Sequence, residues 1–199
     1  MTAPHALWLS LGLLGGPALL DPGLSDYRWN VTPRSAWGAQ ALAGLGPWGA
    51  GLRATRTRTT QTLGIPDPGS AARVDATTLE WVGQGRLASI AGVEMLASGS
   101  AGWLHLGYTP DHVDVPSGGG TPLTVELAPV NEWIAGAGLG ARRAIAGPWV
   151  ASVGVERRFF SMDTAHRSGT TIVMERERFG DWNARFELAW RWTRMKGTS

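Results

Sequence analysis

Cysteine is absent from the 199 residues, which excludes disulfides, thiolate metal sites and cysteine nucleophiles together. Lysine is nearly absent, since Lys196 is the only one and every other cation is arginine. An excess of one charge sign is missing too. Lys plus Arg number 18 against 16 Asp plus Glu, a formal +2, and basic clusters are few, so a nucleic-acid partner is not expected. No run approaches the ~18 apolar residues of a transmembrane helix, which excludes a helical membrane protein. What abounds is glycine, 28 residues, about twice the usual ~7%. That argues against a compact helical domain. Tryptophan is also abundant, 11 residues against 4 Phe and 2 Tyr. The length suits one domain over residues 1–199.

Gly46-Pro47, Ala91-Gly92 and Gly147-Pro148 each separate two long runs, as hairpin turns do. Longer loop-like stretches lie between those hairpins. Ile65 to Asp75 is one, and Thr109 to Val130, with four prolines and Gly118-Gly119-Gly120, is another. Inside the runs the period is two. Trp182, Ala184, Phe186, Leu188, Trp190 and Trp192 share one face, and Asn183, Arg185, Glu187, Ala189 and Arg191 share the other. The runs after Trp48 and Trp149 and those around Trp37, Trp133 and Trp81 alternate likewise. In the run from Val93 to Tyr108 the phase slips near Trp103-Leu104, which predicts a bulge there.

The apolar face carries tryptophan at strand ends. Trp48, Trp149 and Trp182 open strands, Trp37 and Trp133 do so from the opposite ends, and Trp190 and Trp192 close the last. Two membrane–water interfaces select that placement, because indole is apolar with one N–H to keep wet. The other face then lines a narrow barrel and supplies a lumen charge network: Arg53, Glu80, Gln84, Arg86, Glu94, Arg142, Glu156, Arg158, Arg185, Glu187 and Arg191. An eight-stranded interior is just wide enough for side chains to fill, so mixed charges there are read as paired and plugging rather than as a pore. The alternative is a soluble periplasmic β-barrel with core tryptophans that binds an apolar ligand.

The segment from Ala6 to Leu14 resembles a secretory signal core, yet no Lys or Arg precedes it and no small-x-small site follows cleanly. Leu7, Leu9, Leu11 and Leu13 alternate with Trp8, Ser10 and Gly12, which is equally a strand. Taking it as the first strand puts all short turns on one side. Eight strands follow, at 5–15, 34–45, 48–62, 76–90, 93–108, 131–144, 149–160 and 182–192. The even count closes an antiparallel barrel, with the 5–15 strand pairing against the closing strand at 182–192. Residues 161–181 are read as one long loop, because Glu175, Arg176, Glu177 and Arg178 put charge on both faces.

This pattern resembles the small eight-stranded outer-membrane β-barrels of Gram-negative bacteria, over nearly the whole chain. Trp182 to Trp192 is similar to the amphipathic closing strand, with a terminal aromatic, that such proteins show to their barrel-insertion machinery. The resemblance implies an all-β, up-and-down transmembrane barrel in the bacterial outer membrane, with short periplasmic turns and longer extracellular loops. It further implies contact with outer-membrane lipid and lipopolysaccharide, and a secretory leader that this sequence does not include.

Few residues suggest chemistry. His166 and Ser168, with Glu175 and Glu177 nearby, hold the parts of a nucleophilic hydrolase. The pair is similar to the His-x-Ser of outer-membrane enzymes that deacylate lipid A. A solvated polar loop is the favoured reading, and a lipid hydrolase is kept as the alternative. His105, Asp111, His112 and Asp114 lack metal-site spacing, and no phosphate-loop or metalloprotease motif occurs, so neither metal nor cofactor is expected. Arg56 and Arg58, outward at the long-loop end of their strand, are candidates for lipopolysaccharide head groups. The favoured function is a non-enzymatic outer-membrane barrel that presents surface loops in a structural, adhesive or protective role, with the loop ligand unknown.

Overall fold

The computed structural model describes residues 6–62, 71–115, 123–168 and 171–194. Eight long strands close one barrel: β1 (Leu7–Leu19), β2 (Arg34–Leu45), β3 (Trp48–Thr62), β4 (Ala71–Ile90), β5 (Val93–Thr109), β8 (Val130–Ala146), β9 (Trp149–Ser168) and β10 (Thr171–Arg194). Each pairs antiparallel with its neighbours, and β1 seals the ring against β10 from Leu7↔Arg194 to Leu19↔Trp182. The two short strands β6 (His112–Val115) and β7 (Leu123–Glu126) form a separate hairpin in the third long connection.

The tight turns follow from local chemistry. Gly46 and Gly147 have positive φ and precede prolines, which suits a turn with glycine at its first central position. Ala91 and Gly92 both have positive φ, the requirement of the mirror-image type I turn. These three turns lie at one end of the barrel with residues 7 and 194. The long connections lie at the other end.

The strands are tilted. Leu11 faces Ala41, and the circuit continues through Leu52, Trp81, Ala101, Ala135 and Phe159 to Gly180. Because Trp182 faces Leu19, the circuit returns to β1 beyond Leu19 and not at Leu11. Closure with such stagger demands tilt, typically about 35–45°. Strong coiling also presses strands together. A Cβ at Gly51 would lie 1.9 Å from the Ala41 carbonyl oxygen, so only glycine fits there.

Several boundaries differ from the sequence reading. β1 runs past residue 15 through Gly15-Gly16-Pro17 to Leu19. Proline brings no N–H, and the ladder to β10 skips Gly16 and Pro17 while that to β2 continues. β4 begins at Ala71. Residues 161–181 do not form a long loop: β9 reaches Ser168 and β10 starts at Thr171, with Glu175 paired to Thr164. Charge on both faces forbids contact with lipid but not strand pairing, so the hairpin continues beyond the apolar band.

No bulge occurs at Trp103-Leu104, where pairing to both neighbours is continuous. The register shifts fall at Arg86/Ala88 and Ala144/Ala146 instead. The apparent slip arises because both faces are apolar at that height. Trp103 points out, while Leu104 and Leu106 point into a buried apolar cluster with Val74, Ile134, Phe160, Met162 and Phe179.

The barrel is therefore inside-out along only part of its length. Near the short turns the wall is apolar outside and mostly polar inside. Near the long loops it is polar outside and apolar inside. The first long connection drops into that upper core. Its 3-10 turn, Pro22–Tyr27, buries Leu24, flanked by buried Leu20 and Trp29. The Asp21 carboxylate accepts from Gly180 N–H at 2.6 Å and from Gly23 N–H at 2.8 Å. Tyr27 O–H donates to the Glu177 carboxylate. Thr59 O–H donates to the Asn30 carbonyl at 2.6 Å.

Candidate functional site

Parity places the candidate lumen charges on one side of the wall, and register decides which of them meet. Arg53 on β3 faces Glu80 on β4 and donates to it through Nε at 3.2 Å and Nη2 at 3.1 Å. The same Nη2 donates to Glu156 Oε1 at 2.7 Å. Both partners are removed from solvent, Arg53 at 1% and Glu80 at 0% exposure. Glu156 also accepts from Ser100 at 2.8 Å and from Arg185 at 3.0 Å. Arg158 pairs with Asp181 at 2.6 Å and lies 3.7 Å from Glu80. Three guanidinium groups thus meet three carboxylates in one layer. A buried ion pair offsets its desolvation cost only when its geometry is good and the remaining donors are satisfied.

A second layer lies toward the short turns. Glu94 pairs with Arg142 at 2.8 Å and with Arg86 at 2.9 Å, and Arg191 is 3.7 Å away. Glu187 accepts from Gln40 at 2.6 Å and from Ser152 at 2.7 Å. Gln84 lines a small cavity of about 20 Å³ between these groups. Such a volume holds about one water.

The lumen residues not singled out from sequence include Asp181 and Trp8. Asp181 sits in what reads as a loop. Trp8 alternates with leucines, so its apolar character hides its direction. It is buried among Gly44 and Gly49, with Arg191 4.3 Å and Arg142 5.7 Å from its ring centroid. Indole is the best aromatic for stacking a guanidinium, which explains one tryptophan on the polar side.

The outer wall carries the other candidates. Trp48, at 67% exposure, Trp149 and Trp192 face outward near the short turns. Trp190 is half-buried and meets Trp149 edge-on at 5.0 Å. Trp37, at 61% exposure, Trp133 and Trp182 face outward toward the long loops. Trp81 and Trp103 are exposed too, and Trp103 stacks obliquely on Trp133 at 4.2 Å. Between the rings lie outward Leu9, Leu11, Leu13, Leu52, Leu139, Val153 and Leu188. Along β10, Trp182 to Trp192 rises roughly 25 Å after tilt, the height of the apolar band on outer-membrane barrels.

Above the upper ring the outward face turns charged. Arg56, Arg58 and Arg73 surround Asp75, and Arg176 pairs with Glu132 and Asp163. Partial burial acts to raise the Asp75 pKa, but hydrogen bonds from Arg58 and Arg56 hold it below the usual carboxylate value. Arg157 lies at ring height, over Phe159 at 5.1 Å and Trp182 at 5.3 Å.

The described candidates for metal binding, His105, Asp111, His112 and Asp114, each take a separate local partner. His105 bonds to Asn131 at 2.8 Å, His112 to Asp111 at 2.8 Å, and Asp114 accepts from Thr124 on the β6–β7 hairpin. Among the described residues no three His, Asp or Glu side chains converge as metal ligands. The backbone pairs His166 with Val173, Ser168 with Thr171 and Glu175 with Thr164 near the tip of the β9–β10 hairpin. The side chains of His166 and Ser168 lie outside the described residues.

No protein-family model matches the sequence, and no curated protein matches it. Solved structures do. The solid-state NMR structure of the outer membrane protein AlkL in lipid bilayers has a TM-score of 0.55 at 11% identity, covering 98% of this chain and 94% of that one. The crystal structure of Neisserial surface protein A has a TM-score of 0.50 at 9% identity, covering 92% and 96%. The chain therefore has the fold of the small eight-stranded outer-membrane β-barrels.

Proposed function

We propose that the chain is a non-enzymatic integral protein of the outer membrane of a Gram-negative bacterium, a rigid barrel that presents surface loops in a structural, adhesive or protective role. One observation carries this reading: an apolar outer band, bounded by two tryptophan rings, surrounds a charged and filled lumen. A soluble barrel that takes up an apolar ligand needs the reverse polarity at mid-height, because water removes apolar surface to the inside. Three long connections, 20–33, 63–70 and 110–129, leave the strands at the same end as the β9–β10 hairpin, where the wall becomes polar outside, and that end is the one facing the medium.

The partners follow from the same placement. The band contacts lipid, the upper rim sits among lipopolysaccharide head groups, and the closing strand β10 with its terminal aromatics is what the insertion machinery receives. Expression in a Gram-negative host, followed by membrane fractionation and unheated gel electrophoresis, tests the reading. The protein is expected in the outer-membrane fraction, with a mobility that changes on boiling. Recovery in the soluble periplasm without such a change overturns it. Host lipopolysaccharide is expected to carry the same acyl chains with the wild type as with Ser168→Ala, and activity of the wild type that the variant loses favours the hydrolase instead.

A further inference from the structure

The lumen network uses none of the arginines on the outer wall above the upper tryptophan ring. β3 and β4 present three of them on one face, and all converge on a single carboxylate. Arg58 Nε lies 2.8 Å from Asp75 Oδ1, Arg56 Nη2 lies 3.1 Å from the same atom, and Arg73 Nε lies 3.3 Å from Oδ2. Three cations against one anion leave a local charge of +2. Each guanidinium has five N–H donors, so Asp75 occupies a minority of those present. Guanidinium groups held this close repel one another unless a further anion joins them, and more so as the local dielectric falls.

The neighbours define the kind of anion. Thr77 pairs across the strands with Arg56 and Thr60 with Arg73, adding exposed hydroxyls on the same face. Arg56 also pairs across β2–β3 with Trp37 of the upper ring. Immediately toward mid-barrel the same face continues as Ala54, Leu52 and Leu79, all apolar and exposed. A cationic fork thus stands directly over an apolar wall. At Arg176 the arrangement is different, since that one guanidinium meets two carboxylates, Glu132 and Asp163.

We infer that Arg56, Arg58 and Arg73 form a binding site for the phosphate head group of an anionic lipid of the outer leaflet, whose acyl chains lie on Ala54, Leu52 and Leu79 beside Trp37. Arginine suits the role because its planar fork grips phosphate oxygens two at a time. Asp75 holds the three side chains in place and accepts no part of the ligand. This site rests on the membrane reading above and deepens it.

The test uses the whole chain folded in nanodiscs of zwitterionic phospholipid, with bound lipid counted by native mass spectrometry. Lipid A, a phosphorylated glucosamine lipid, is titrated against the wild type and against the combined variant Arg56→Gln, Arg58→Gln, Arg73→Gln. The variant is expected to bind about ten-fold more weakly, as is the wild type towards dephosphorylated lipid A. Arg143→Gln, at the short-turn rim, is expected to bind as the wild type does. Equal retention by the combined variant overturns the site, and equal retention of dephosphorylated lipid A overturns phosphate recognition. Displacement by inorganic phosphate at the lipid's own concentration overturns the lipid as its source. If the combined variant loses its boiling-dependent gel shift, Arg58→Gln alone carries the comparison, and undiminished binding by it overturns the site. Failure of the wild type to enter nanodiscs overturns the membrane reading instead.

Discussion

A residue in this wall is judged by the side it faces and by its height. Leu52 and Val153 are half-exposed between the tryptophan rings. Replacement of either by Arg places a cation in mid-band and should lower unfolding stability by roughly 2–4 kcal/mol in lipid vesicles. A measured change near zero in guanidinium unfolding would contradict the lipid-facing assignment. Arg53 presents the opposite case. Its loss leaves Arg158 and Arg185 against Glu80, Glu156 and Asp181, one buried carboxylate in excess. Arg53→Met should therefore destabilise by about 3–5 kcal/mol, because an unpaired buried charge costs more than a whole pair removed. The double variant Arg53→Met, Glu80→Gln, which leaves Arg158 and Arg185 against Glu156 and Asp181, should recover part of that loss in the same assay.

At the scale of elements, the turns and the seam decide whether the ring closes. Ala91 holds φ at 50° in the turn between β4 and β5, a region that costs an L-residue with a Cβ roughly 1–2 kcal/mol. Asn tolerates it and favours the Asn-Gly turn that results, so Ala91→Asn should stabilise by about 1 kcal/mol, read as a higher denaturant midpoint. The seam is β1 against β10. Removal of residues 1–15 takes away most of β1 and exposes the edges of β2 and β10, which lipid cannot hydrogen-bond. The truncated chain should fail to reach a protease-resistant, boiling-sensitive form in detergent micelles. Folding at wild-type yield would mean that β10 and β2 find each other without it.

For the whole molecule the question is whether anything passes through. The interior is filled in tiers: the Glu94 cluster around Trp8, then the Arg53–Glu80–Glu156 layer, then the apolar core under Leu24 and Trp29. The cavities between tiers, about 20 Å³ each, suit single waters. Purified protein in planar bilayers should give no steady conductance, and a stable open level would show that the tiers part. The tiers also separate two kinds of stability. On the proposed membrane reading, lipid holds the outside of the wall near the short turns, whereas near the long loops the barrel is stabilised as a soluble protein is, by burying its own apolar side chains.

Much of this was legible in the residues themselves. Period-two alternation assigns each side chain to a face because successive strand residues point oppositely, so β2, β3, β8, β9 and β10 of the wall could be outlined from Trp37, Trp48, Trp133, Trp149 and Trp182. Gly-Pro and Ala-Gly pairs mark the turns because glycine, unlike residues with a Cβ, adopts positive φ without strain. Alternation is blind to height and to partners. It misread Trp103-Leu104 as a slip, since it has no means of knowing that the lumen itself becomes apolar there. It lost Asp181 and the extended β9–β10 hairpin, since charge on both faces excludes lipid without excluding a strand. It left Trp8 undirected among leucines. Which arginine meets which carboxylate across the lumen, as Arg53 meets Glu156, depends on register around the whole wall. Only closure of the ring sets that register, because a shift of one residue at any seam would turn every side chain of that strand to the other face.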